Sequence, residues 1–112
     1  MQQRLSAGQL DRLLTIEQKL VARESAFGSE SVNWVPFASG VRARQDELSG
    51  VETVRQDQRV MTRRVTFTIR WRDGVSTAMR VRLPDDRVFQ IVSALELGRH
   101  YGLRLECEEY SV

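Results

Sequence analysis

Residues 63–71 read RRVTFTIRW, which is the strongest local signal of secondary structure in the chain. From Val65 to Trp71 every second residue is apolar, which is the period-two pattern of a half-buried β-strand. Successive side chains of a strand point to opposite faces, so the stretch predicts one buried face and one outer face. The outer face is expected to carry Arg64, Thr66, Thr68 and Arg70.

The same alternation recurs toward the C-terminus. Residues 79–83, 87–95 and 103–107 each carry apolar side chains at alternating positions. The first two segments are preceded by Asp73-Gly74 and Pro84-Asp85-Asp86, residues that favour turns through their backbone geometry and local hydrogen bonds. Four consecutive strands joined by turns predict a β-meander.

The N-terminal half is less regular. Residues 14–20 and 41–45 predict two further strands. Between them, residues 21–33 read VARESAFGSESVN, and the serines and the glycine dilute the apolar pattern. We therefore predict a long exposed loop here, and loops of this length in small domains are often functional. A plain hairpin tip is the alternative.

One segment favours a helix. Ser49-Gly50-Val51-Glu52 has the spacing of a capping box, in which Ser49 caps the helix and Glu52 reaches back to its amide. This spacing predicts a short helix over residues 50–58. The chain as a whole is therefore predicted to be all-β, a small antiparallel barrel or sandwich with one short helix and a long exposed loop. Closure into a barrel would also remove exposed strand edges.

Length and composition limit the possible classes of protein. The 112 residues, 41% of them hydrophobic, suit a single domain covering residues 1–112. The lone cysteine, Cys107, excludes an intramolecular disulfide. No segment has the pattern of a signal peptide, and nowhere are 18 consecutive residues apolar. We therefore expect neither secretion by that route nor membrane insertion.

The basic residues are unusual because 16 of 17 are arginine, while the net charge is only +2. Arginine favours bidentate contacts with carboxylates and phosphates, although the codon usage of a GC-rich genome produces the same bias. On the outward strand faces these charges form either a solvated surface or an interface with protein carboxylates or with nucleic-acid phosphates. The candidate interface residues are Arg42, Arg44, Arg64, Arg70, Arg80, Arg82, Glu106 and Glu108.

Residues with catalytic chemistry are few. His100 is the only histidine and falls in a predicted turn, while Cys107 falls on the inward side of a strand. Asp85-Asp86 follows a proline and is typical of a turn. There is no glycine-rich phosphate loop and no set of metal-ligand spacings. We expect no enzymatic activity, no cofactor, no metal and no small-molecule substrate.

Four stretches occur in an informative order. They are GQLDRLLTI at residues 8–16, AFG at 26–28 followed by Trp34, Ala43-Arg44 through Leu48-Ser49-Gly50 with Glu52, and residues 63–71 with Gly74, Met79-Arg80-Val81 and residues 87–91. In this joint order and spacing the chain resembles the head-tail joining proteins of tailed bacteriophages, also called head closure or head-tail adaptor proteins. The resemblance covers residues 8–109.

The resemblance implies a small β-barrel subunit that assembles into a ring beneath the portal and its adaptor after DNA packaging. The ring would close the DNA-filled head and present the surface for tail attachment. Its partners would be further copies of itself, the portal or adaptor protein, a tail completion or terminator protein and the packaged DNA, in the virion and, during assembly, in the host cytoplasm. The long loop would project toward the channel or a neighbouring subunit, with candidate contacts at Arg23, Glu24, Ser25, Phe27, Gly28, Ser29 and Glu30.

The alternative is a small cytoplasmic β-barrel that binds nucleic acid non-specifically. The outward arginines support it, but a single-stranded nucleic-acid binder also needs exposed aromatic residues on which bases stack. Phe67, Trp71 and Phe89 instead fall on the inward positions together with the core residues. The sequence therefore favours the structural protein of a phage or prophage connector.

Overall fold

The computed structural model describes residues 7–24, 29–47, 51–55 and 58–109. These segments are almost entirely antiparallel β-structure, which confirms the predicted all-β class. A short 3-10 helix, Ala7–Gln9, precedes the strands. The strands are β1 Arg12–Glu24, β2 Ser29–Glu47, β3 Val51–Arg55, β4 Gln58–Thr62, β5 Arg64–Arg70, β6 Arg80–Arg82, β7 Val88–Leu97 and β8 Gly102–Glu109.

Six of the strands form a closed ring, a small barrel with the order β1-β2-β5-β8-β7-β6. The ring closes where β6 pairs with β1, through Thr15 opposite Arg82 and Glu17 opposite Arg80. This closure joins segments about sixty residues apart in sequence and gives each strand of the barrel two neighbours. The predicted barrel is therefore the correct alternative to a sandwich.

The core lies inside the barrel and is built from the alternating apolar positions. Val65, Phe67 and Ile69 of β5 are fully buried, as the RRVTFTIRW pattern predicts. Phe67 meets Phe89 of β7 edge to face, with ring centroids 5.4 Å apart and an interplanar angle of 83°. This arrangement places the positive edge of one ring on the negative face of the other. Burial of each such side chain stabilises the fold by roughly 1.5–3 kcal/mol.

The predicted meander is wrong at its first connection. Strand β5 pairs with β8 and not with β6, and β8 lies between β5 and β7. The predicted turn at Asp73-Gly74 is present: Gly74 has a φ of 88°, and its amide donates to Asp73 Oδ1 at 3.0 Å. However, the whole connection between β5 and β6 spans nine residues, which is longer than a tight hairpin loop, and β6 continues the sheet beside β1 instead.

The predicted helix over residues 50–58 is also wrong. Val51–Arg55 and Gln58–Thr62 form a separate two-stranded antiparallel sheet, with Val51 opposite Thr62 and Arg55 opposite Gln58. Three of the residues in the first strand are β-branched, and such residues lose side-chain freedom in a helix and favour strands. Ser49, the proposed cap, lies outside the described residues.

The predicted loop over residues 21–33 is largely a hairpin. Strand β1 continues to Glu24 and β2 begins at Ser29, with Val21 opposite Val32 and Glu24 opposite Ser29. The β-branched pair at Val21 and Val32 supports strand structure despite the surrounding serines. Residues 25–28, which include three of the proposed contact residues, lie outside the described part. The hairpin-tip alternative was thus nearer to the structure than a long loop.

The hairpin extends past the barrel as a two-stranded arm, which we define as residues 18–24 of β1 and 29–35 of β2. Beyond Glu17, strand β1 pairs only with β2. Strand β2 does not begin to pair with β5 until Ala43. Seven extended residues span about 23 Å, in keeping with a longest molecular dimension of 56 Å against 36 and 26 Å. Register shifts in the β1–β2 pairing and a φ of 65° at Gly40 mark bulges at the base of the arm, where bulges bend a strand.

Candidate interaction surfaces

The junction between β1 and β6 is tied by a buried carboxylate, and we call it the closing seam. Glu17 of β1 accepts from Arg80 Nε at 2.7 Å through one oxygen and from Arg82 Nε at 3.1 Å through the other. Its side chain is only 9% exposed. Burial acts to raise the pKa of Glu17, but the hydrogen bonds and charges of the two arginines outweigh it, and the net pKa is lowered.

The closing seam also contacts the base of the arm. The guanidinium carbon of Arg80 lies 4.2 Å from the centroid of the Trp34 ring, a cation–π contact. Trp34 is opposite Lys19 in the first part of the arm. Arg80 therefore binds the barrel strand β1 through Glu17 and the arm strand β2 through Trp34, so this predicted interface residue has partners within its own chain.

Other outward charges form ion pairs at strands β5, β7 and β8, away from the closing seam. Arg64 Nη2 lies 2.7 Å from Glu108 Oε1, across the β5–β8 pairing. Arg87 and Glu109 form a bidentate pair with both distances at 2.8 Å. The hydrogen bond from Arg87 lowers the pKa of Glu109 against the opposing effect of burial. Arg64 and Glu108 were predicted to be free for contact with another molecule, but in the structure they pair with each other.

A different arrangement occurs on β2, β5 and β8, where four arginines form what we call the basic face. Ala43, Ile69 and Leu103 point inward, so their sequence neighbours point outward. Across the sheet, Arg44 and Arg104 flank Thr68 on either side. Only one described ion pair involves this group, Arg44 with Asp46 at 2.9 Å, between two half-exposed side chains. The basic face consists of Arg42, Arg44, Arg70 and Arg104, all exposed.

The threonines between these charges are on the predicted outer face but are not exposed. Thr66 is 2% and Thr68 6% accessible to solvent. Strand β5 lies between β2 and β8, and each neighbour places longer charged side chains beside the threonines. Within the described residues, Thr66 Oγ1 has no hydrogen-bond partner. The outer wall of the barrel is therefore close-packed at its centre, with the arginines around it.

A shallow groove opens at one end of the β1–β6 junction, and we call it the end groove. It consists of two adjoining depressions of about 260 and 290 Å³ that share Leu13, Leu83 and Pro84. Leu13 is 49% exposed. The β6–β7 turn and the start of β1 supply the charged lining residues Asp11, Arg12, Arg82, Asp85 and Asp86.

The arm presents apolar side chains on both of its faces. Val21 and Val32 are directly opposite each other and share a face, while Leu20 points to the other face. All three are about half exposed. Four of the predicted contact residues lie at the far end of the arm, where Arg23 is opposite Glu30 and Glu24 is opposite Ser29 in the strand pairing. The other three, Ser25, Phe27 and Gly28, lie outside the described residues.

Cys107 and His100, the residues with potentially reactive side chains, pack against neighbouring side chains in the structure. Burial, together with the charge of Glu106, raises the pKa of Cys107 to about 12, so its thiol stays protonated at neutral pH. His100 stacks on Trp71 with ring centroids 4.2 Å apart. In the segments that the structure describes, no cluster of three or more potential metal-binding residues occurs. No helix there is both long and apolar enough to cross a membrane.

Comparisons with known proteins agree with this architecture. Among solved structures, a chain from the virion of a native gene transfer agent (GTA) particle has a similar fold, with a TM-score of 0.71 and 22% sequence identity over 92% of this chain and 97% of that one. No curated protein matches the sequence. A sequence model of a family of phage structural proteins, described as phage head completion protein, matches residues 5–110. The predicted resemblance is confirmed: the chain belongs to the phage head completion protein family.

Proposed function

We propose that the protein is a component of the head-tail connector that assembles as a ring beneath the portal or adaptor. The ring closes the DNA-filled head and offers the surface to which the tail attaches. Its neighbours are copies of itself, the portal or adaptor protein on one side and a tail completion or terminator protein on the other, with packaged DNA in the channel. It acts in the virion, after assembly in the host cytoplasm.

The observation that carries this proposal is the arm. A two-stranded hairpin is at best marginally stable in water when nothing covers it. This arm leaves Leu20, Val21 and Val32 about half exposed, and its strands have no third strand beside them in the described residues. A subunit that docks its arm on a neighbour or inside a channel would cover these side chains and order both strands. Such a role suits a structural subunit of the head completion family.

The test is electron microscopy of particles assembled without this chain. We expect heads that are filled, or that have lost their DNA, and that carry no tails. Supplying the wild-type chain in trans should restore tailed particles, which controls for effects on neighbouring genes. Normal tailed virions in the absence of the chain would overturn the proposal.

The basic face supports a second candidate, non-specific binding to nucleic acid. Arginines contact phosphates without reading sequence, and such binding weakens steeply with salt because each neutralised phosphate releases counterions. Fluorescence anisotropy of the purified protein with a labelled DNA duplex would measure this. If this candidate is correct, affinity should fall at least tenfold between about 50 and 200 mM salt. No binding at the lower salt concentration would eliminate it.

A further inference from the structure

Within the described part of the chain, Arg44 is the one arginine of the basic face that has an ion-pair partner, Asp46. Arg44 and Arg104 lie on the strands to either side of β5 and flank a single threonine, Thr68, so their positive charges are near each other with one strand between them. Arg42, Arg70 and Arg104 have no ion pair among the described residues, in contrast to the arginines of the closing seam. The isolated fold therefore gains little from these charges, and a surface that brings carboxylates to them would gain more.

The end groove adjoins one edge of the basic face, where Leu13 of β1 pairs with Arg42 of β2, while Arg70 and Arg104 lie further round the barrel wall. In the closed order β1-β2-β5-β8-β7-β6, one strand lies between the β5–β8 pair and the β1–β6 pair in each direction, β2 on one side and β7 on the other. Arg70 and Arg104 belong to β5 and β8, whereas the groove is formed at β1 and the β6–β7 turn. Arg70 with Arg104 and the groove therefore belong to different parts of the barrel wall. Two different patches on one subunit allow head-to-tail contact between copies, which closes into a ring when the rotation per subunit allows.

The two patches are also complementary in chemistry. In the groove, Asp11 and Asp85 are exposed and form no ion pair among the described residues, against one such arginine, Arg12. Arg82 also lines the groove, but its charge is held by Glu17 and Asp86. Each patch has an apolar component as well. Leu13 is 49% exposed in the groove, and Leu95, opposite Arg104 on β7, is 56% exposed.

We propose that the basic face of one copy docks on the end groove of the next copy, with Arg70 and Arg104 meeting Asp11 and Asp85. The exposed leucines Leu13 and Leu95 are then covered by the contact. This inference names the subunit interface within the proposed ring and rests on the proposed function for its setting. A second copy is favoured over DNA because the same chain carries a matching acidic and apolar surface, which phosphates would not require.

Charge reversal followed by rescue tests the interface. Arg70→Glu with Arg104→Glu, and separately Asp11→Arg with Asp85→Arg, should each reduce the yield of tailed particles by about tenfold or more, because like charges across an interface are strongly unfavourable. Combining all four substitutions keeps the net charge of the wild type and restores opposite charges in every contact. We expect the combined variant to recover most of the lost yield.

A matched control separates this contact from a general effect of charge. Arg72→Glu with Arg99→Glu changes the net charge by the same amount, at exposed positions in the loops outside both patches. This control should assemble like the wild type. Thermal unfolding should show an unchanged midpoint for the arginine variants. A small decrease is expected where Asp85 is replaced, because Asp85 Oδ1 accepts a hydrogen bond from the Arg87 amide at 3.2 Å. Variants that remain folded at the assembly temperature then assign any loss of yield to assembly.

Disulfide trapping gives an independent measurement. A chain with Arg70→Cys and Asp85→Cys should form a ladder of covalent multimers in oxidised particles. Val92→Cys with Asp85→Cys should not, since Val92 is exposed on β7 and belongs to neither of the two patches. Cys107 is buried and does not compete.

The outcomes are distinct. Loss of yield in both half-reversed variants, rescue in the combined variant and a ladder support the interface. Wild-type yield in both half-reversed variants overturns it, and so does failure of the combined variant to recover. Loss confined to Arg70→Glu with Arg104→Glu, accompanied by loss of DNA retention, assigns the basic face to DNA instead. Failure of the proposed function would be seen separately, as normal virions in the absence of the chain.

Discussion

Two parts of the barrel wall carry outward arginines in the same alternating pattern, and they differ in what surrounds them. At the closing seam, Arg80 and Arg82 converge on Glu17, and the Arg80 side chain is 13% exposed. On the basic face, the arginines point into solvent and only Arg44 has a described ion pair. The comparison shows that the alternating strand pattern predicts whether an arginine side chain points outward, but does not predict whether a carboxylate lies beside it. That charge depends on which strand becomes the neighbour.

Deleting the central carboxylate of the closing seam should have the largest effect on stability. Glu17→Ala leaves two guanidinium groups facing each other without their shared partner, and removing one member of a buried ion pair typically costs 3–5 kcal/mol. Because Arg82 is partly exposed, we expect a loss of about 3 kcal/mol, measured by urea unfolding. The matched change on the basic face, Asp46→Ala, should cost less than about 1 kcal/mol. If Glu17→Ala and Asp46→Ala reduced the free energy of unfolding equally, the closing seam would not be more strongly held together than the basic face.

The pH dependence of the same seam should give the next largest effect. The pKa of Glu17 is lowered in the folded state, so its contribution to stability is complete above the unfolded pKa and is lost as pH falls through the lower folded pKa. Glu17→Gln mimics the protonated form and should cost about 2 kcal/mol at pH 7. The difference between the wild type and this variant should shrink as the pH falls below about 4.3. A constant difference from pH 7 to low pH would contradict a charged Glu17.

The residues of the seam also show what could be predicted from the sequence. The period-two pattern of residues 63–71 predicted β5 because alternation is a local signal that burial then enforces. The pairing of Glu17 with Arg80 had no such signal, since the two residues are 63 positions apart and meet only when β6 closes the ring. The outward direction of Arg80 was predicted, whereas its partners, Glu17 and Trp34, required the strand order.

The two wrong elements failed for related reasons. The capping-box spacing at Ser49 to Glu52 is a short pattern, and it competed with β-branched residues that pair with a second strand, Gln58–Thr62. In residues 21–33 the serines obscured an alternation that the long β1–β2 pairing restores. Long-range pairing decided both segments. For the same reason, residues 21–33 of the hairpin were predicted as a loop.

Replacing the guanidinium of Arg80 should have a moderate effect. Arg80→Lys keeps the charge but loses the planar group that lies over Trp34 and donates to Glu17. We expect a loss of about 1 kcal/mol, together with a change in tryptophan fluorescence relative to the wild type. Arg104→Lys on the basic face should leave both quantities unchanged, because its guanidinium has no described partner. An Arg80 variant as stable as the wild type would place Trp34 outside the seam.

The smallest effect on stability is expected where the effect on assembly is largest. Arg70→Glu with Arg104→Glu changes two exposed side chains and also relieves repulsion with their arginine neighbours, so the free energy of unfolding should change by less than about 0.5 kcal/mol. High salt should reduce even that difference, because exposed charges are screened. A large loss of stability would mean that the basic face has partners within its own chain, as the closing seam does. Unchanged stability would leave its charges available to another molecule, which is the property that an interface between copies requires.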